Sequence, residues 1–96
     1  MLKHIVMWKL KEQNKDEISS QIQEKLKALP AVIPEIIDFE VGVDINGSER
    51  AFDLVLYSTF KDEADLQTYQ VHPQHQEVAK FIGSVVEAGK VVDYLV

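Results

Sequence analysis

Hydrophobic and polar residues alternate from Lys3 to Leu10, which predicts a strand. His4, Val6, Trp8 and Leu10 lie on one of its faces, Ile5 and Met7 on the other. The period then lengthens. From Asn14 to Leu29 the apolar positions Ile18, Ile22, Leu26 and Leu29 recur at helical spacing. Asn14 or Asp16 can cap the start of this helix, and Pro30 ends it. Alternation returns from Glu35 to Ile45, where Ile37, Phe39, Val41, Val43 and Ile45 share a face. Asn46-Gly47 is a hairpin-turn signal, in a loop with room to extend through Ser48 and Glu49. Arg50 to Phe60 reads as the returning strand, with Phe52, Leu54, Leu56 and Phe60 on one face. Asp62 caps a short helix reaching Tyr69, and Pro73 starts another that runs to Ala88. Gly89 fits a helix-terminating position, and Val91 to Val96 forms the last strand.

The order strand, helix, strand, strand, helix, strand, with the second helix broken near Pro73, defines an α+β fold. It is a ferredoxin-like βαββαβ sandwich: a four-stranded antiparallel sheet with the helices on one face. The opening strand is apolar on both faces, and the third places Val55 and Tyr57 opposite its Phe/Leu row. Helices cover only one side, so the second face needs another cover. Length sharpens the point. A chain of 96 residues buries only about 60–65% of its unfolded surface and has a thin stability margin alone. A second copy, sheet against sheet, answers both problems, and a homodimer is expected.

Composition changes the picture mainly by exclusion. With no cysteine, disulfides, thiolate–metal centres and cysteine nucleophiles are out. Ten basic against sixteen acidic residues give a net charge of −6, which argues against nucleic acid and anionic membrane as partners. No apolar run approaches the roughly 18 residues of a membrane span. The opening residues do not read as a leader, since His4 and Lys9 interrupt the apolar run. A cytoplasmic protein of one domain, residues 1–96, is expected.

The candidate chemistry lies in Tyr69-Gln70-Val71-His72-Pro73-Gln74-His75. The residue before proline is pushed out of helical geometry, so His72 belongs in the break. Pro73 suits the first helical position, which puts His75 in the first turn. Val78, Ala79, Ile82, Val85 and Val86 follow it at helical spacing, so His75 shares the core-facing stripe. Desolvation and the positive end of the helix dipole both keep such an imidazole neutral near pH 7. Tyr69 brings a phenol to the same space, and His4 joins them if its strand face lies under the helices. Trp8, Leu56, His72 and Ile82 are candidate binding residues around this group. A buried histidine at a helix start also serves simply by bonding a backbone carbonyl and locking a turn. No metal site is assigned, because Pro73 spoils the pairing of His72 with His75 and Glu77 points away from the His75 stripe. No phosphate loop, dinucleotide fingerprint or nucleophile elbow is present, and no cofactor is implied.

Lys3-His4-Ile5-Val6-Met7-Trp8-Lys9-Leu10, the segment Leu66…Tyr69-x-x-His72-Pro73-x-His75 and the closing Asp93-Tyr94 together resemble the Dabb family of stress-responsive dimeric α/β-barrel domains. The resemblance covers essentially the whole chain and implies a ferredoxin-like subunit whose sheet joins that of a second copy. Many members of the family have no assigned activity, and a few plant members are polyketide cyclases. In those, a tyrosine and the second histidine of the motif do acid–base work, and the opening-strand histidine lines the cavity. By motif position these are Tyr69, His75 and His4. The plant cyclases carry aromatic residues along the first helix, whereas the inward stripe here is aliphatic.

Two functions stand side by side on these residues. One is a site for a small apolar or carbonyl-bearing ligand, with His75 as base and Tyr69 as donor. The other is a non-catalytic oligomeric module whose histidines brace the break at Pro73. A pocket of about 300 Å³ or more against His75 would count against the second.

Overall fold

The alternating opening segment becomes the inner strand around which the sheet is built. A computed structural model describes residues 1–96. Its strands are β1 (Leu2–Leu10), β2 (Asp38–Val43), β3 (Leu54–Phe60) and β4 (Val86–Leu95), and its helices are α1 (Lys15–Lys27), α2 (Glu63–Val71) and α3 (Pro73–Val85). The sheet order is β2-β3-β1-β4 and every pairing is antiparallel. This is the ferredoxin-like α+β fold. The core lies between the sheet and the helices, where Leu10, Leu54 and Phe60 meet Ile22, Leu26, Leu29, Leu66 and Ile82. His4 and Leu56 are buried on the same sheet face, so His4 does lie under the helices.

Several boundaries differ from those the pattern predicts. Asn14 precedes α1 in the left-handed region, at φ 55°, and its side chain caps nothing. Asparagine tolerates that conformation, and its carbonyl still accepts from the Ile18 N–H at 2.9 Å. The second strand is shorter than Glu35–Ile45, and Ile45 is fully exposed. The third begins at Leu54, not Arg50, leaving Phe52 in the loop. Asp53 explains this shortening. Its N–H donates to the Trp8 carbonyl at 2.8 Å, while its carboxylate accepts from the Leu10 N–H at 2.7 Å. A side chain there completes the edge of β1 that a longer strand would have paired. Gly47, at φ 73°, turns the loop, and the Asp44 carboxylate accepts from its N–H.

The largest correction concerns the last helix. It ends at Val85, not Ala88, and β4 begins at the next residue without a connecting loop. Gly89 therefore lies in a strand, opposite Trp8, and terminates no helix. Val85 and Val86 are β-branched, and the nine-residue β1 offers a long edge that β4 pairs from Leu2 to Leu10. Pairing that edge outweighs another helical turn. The opposite sheet face carries Ile5, Met7, Val55, Tyr57 and Val92, of which Met7 is 40% and Val92 53% exposed. No helix is long and apolar enough to cross a membrane.

Candidate functional site

Pro73 organises the site through the two histidines that flank it. His72 is extended, at ψ 133°, as a residue before proline must be, and it separates α2 from α3. Its Nδ1 accepts from the Gln74 N–H at 3.1 Å, so the ring serves as the N-cap of α3. His75 sits half-buried in the first turn of α3, and its Nδ1–H donates to the Gln70 carbonyl across the break at 3.1 Å. A carbonyl only accepts, so the proton of neutral His75 is on Nδ1 and the lone pair is on Nε2. Burial lowers the basicity of this imidazole, with His4 and His72 adding repulsion and the Gln70 bond opposing them.

Tyr69, in the last turns of α2, is 1% exposed and stacks at a tilt on His75, with ring centroids 4.3 Å apart. Phe60 lies 4.9 Å and His4 6.1 Å from the same ring. Burial pushes the phenol above its ordinary value, so it is a neutral donor. No protein group hydrogen-bonds this hydroxyl, and Tyr69 lines the hollow between sheet and helices. His4 is held from behind. Its Nδ1–H donates to Asp93 Oδ1 at 2.5 Å, and the Asp93 side chain is 39% exposed.

These three groups surround a cavity of about 200 Å³ between sheet and helices. Its floor is His4, Val6, Trp8 and Leu56 from the sheet, with Leu26 from α1. Tyr69 and, from α3, His75, Val78 and Ile82 form the roof. Ala79, Gly83 and Gly89 line it too and are exposed, so the mouth lies between α3 and β4. Of the seven residues singled out from sequence, Tyr69, His75, His4, Trp8, Leu56 and Ile82 line this cavity. His72 does not. Its Nδ1 is used by the helix cap, and it stands outside the lining, which corrects its place among the binding residues. Asp93 was missed as the partner of His4, because only the β1–β4 register sets the two opposite each other. The shared face of Val91, Asp93 and Leu95 was the signal available. No group of three or more His, Asp or Glu side chains is arranged to hold a metal ion.

A ferredoxin-like sandwich with a histidine- and tyrosine-lined hollow between its layers defines the class of this protein. Residues 2–96 match the family described as the stress responsive A/B barrel domain, Dabb, and the chain belongs to that family. No curated protein matches the chain. Among solved structures, a dimeric protein of unknown function with a ferredoxin-like fold from Bacteroides fragilis is 33% identical. It superposes with a TM-score of 0.89, over 99% of this chain and 95% of that one. A hydroxynitrile lyase from Passiflora edulis is 27% identical, with a TM-score of 0.88 over 99% of this chain and 92% of that one. A dimeric ferredoxin-like protein from Thermobifida fusca, 22% identical, shares the fold at a TM-score of 0.89, covering 99% and 90%.

Proposed function

We propose that this protein is a cytoplasmic homodimer that binds a compact carbonyl-bearing compound between sheet and helices and carries out acid–base chemistry on it. One observation carries the proposal: the Gln70 carbonyl fixes the His75 tautomer, leaving a basic Nε2 on a ring stacked against the unpartnered Tyr69 phenol in one cavity. The phenol donates to the carbonyl oxygen of the ligand, while Nε2 takes a proton from the carbon alpha to it. The imidazolium then returns that proton to the product. Trp8, Leu56 and Ile82 supply the apolar wall, and His4 adds a third polar group at the floor. The relative from Passiflora edulis is a lyase for hydroxynitriles, which supports small-molecule chemistry on this scaffold. The half-exposed apolar sheet face and the dimeric relative from Bacteroides fragilis support the dimer.

A second reading has its own support. The bonds from Gln74 to His72 and from His75 to Gln70 both cross or cap the break at Pro73, as bracing requires. The cavity, at about 200 Å³, falls below the roughly 300 Å³ of ordinary ligand pockets, so volume alone does not decide against a non-catalytic module. Two variants separate the readings. His75→Ala and Tyr69→Phe should each lose thermal stabilisation by small carbonyl compounds, and any turnover of them, while staying folded and dimeric. Variants that melt at room temperature or lose the dimer would assign both residues to structure.

A further inference from the structure

The cavity shares one wall with a second hollow. A groove of about 480 Å³ lies where Lys25, Ala28 and Leu29 approach Gln74 and Glu77 at the start of α3. Val78, half-buried, is the one residue that lines both spaces. Val78 also follows His75 by three residues, about one helical turn, and both line the cavity. A chain attached to a carbonyl at His75 and directed along α3 therefore meets Val78 within about 5 Å.

The lining has a second property. No Lys, Arg, Asp or Glu belongs to it, and its only polar side-chain groups are two imidazoles, a phenol and the indole N–H of Trp8. A carboxylate or phosphate placed there would lose its hydration without gaining a fixed cation, which is costly. We propose that the ligands of this site are short-chain uncharged carbonyl compounds and that Val78 sets the chain length they can have. The proposal rests on the acid–base reading above. The carbonyl stands at Tyr69 and His75, the chain runs toward Val78, and the valine stops it before the groove.

Trp8 gives the measurement, because it is the only tryptophan and it lines the cavity. The protein is titrated with straight-chain ketones from 2-butanone to 2-decanone while Trp8 fluorescence is followed. Affinity should rise about fourfold for each methylene buried. It should then fall abruptly at a cut-off length. Val78→Ala removes that stop and moves the cut-off to longer ketones, and Val78→Ile moves it to shorter ones. Carboxylates of matching length should not bind. Val78→Ile conserves the packing, so the test survives if the alanine variant fails to fold. The same cut-off in every protein, no cut-off at all, or equal binding of carboxylates would overturn the proposal. Failure of Val78 alone leaves ketones bound by the wild type and lost in His75→Ala. If no ketone binds, or His75→Ala binds them unchanged, the acid–base reading fails and the role of Val78 fails with it.

Discussion

Asp93 stands opposite His4 in the β1–β4 register, and its Oδ1 lies 2.5 Å from His4 Nδ1. The His4 side chain is 7% exposed, whereas that of Asp93 is 39% exposed at the edge of the sheet. Truncating Asp93 leaves a buried N–H without a partner, a loss worth about 1–3 kcal/mol in general. Solvent access on the carboxylate side places Asp93→Ala near the lower end of that range. Asp93→Asn keeps an oxygen acceptor for the same N–H and should cost less. Urea unfolding of the three proteins checks this, and an alanine variant as stable as the wild type would contradict it.

The depressed basicity of His75 has a definite sign in the pH dependence of stability. Its folded-state value lies below the ordinary one of about 6.5. The unfolded chain therefore takes up the proton first as the pH falls. The stability contributed by the neutral, buried ring is complete above that ordinary value and is lost as the pH falls from there through the folded-state value. Between pH 7.5 and pH 5 the wild type should lose stability relative to His75→Gln, which does not titrate. A constant difference between the two proteins would contradict a buried neutral imidazole.

His72 should behave as a cap and nothing more. His72→Ala removes the acceptor for the Gln74 N–H and should cost about 1 kcal/mol, as other N-cap losses do. His72→Asp restores an acceptor at the same place and should recover most of it. Neither change should alter Trp8 fluorescence titrations with ketones, because His72 is outside the cavity lining. Loss of binding in His72→Asp would return this residue to the site.

The open sheet face should carry the dimer. Met7 and Val55 are paired neighbours on that face, away from the helices. Met7→Glu places a charge among Ile5, Val55 and Tyr57 and should convert the protein to monomers of lower thermal stability. The melting temperature of the wild type should rise with protein concentration. Sedimentation equilibrium reads both outcomes, and a Met7→Glu dimer of undiminished affinity would place the interface elsewhere.

Whatever depends on neighbours along the chain was legible in the order of the residues. Element order followed from the change of period between Leu10 and Ile18 and back again. Asp62 and Pro73 marked their helix starts because capping and proline sterics act within a few residues: the Asp65 N–H donates to Asp62 at 2.9 Å, and Pro73 opens α3. The Tyr69–His75 segment was legible for the same reason, with His75 placed on the inward stripe by counting. Tertiary structure decided the rest. The end of α3 at Val85 depended on the unfilled edge of β1, and the late start of β3 on Asp53 bonding back to Trp8 and Leu10. His4 gained Asp93 from 89 residues away. The size of the cavity and the place of Val78 in both linings belong to the packing of α1 and α3 over the sheet. Local sterics and periodicity are written in adjacent residues, whereas edge pairing and the volume between layers exist only once distant segments meet.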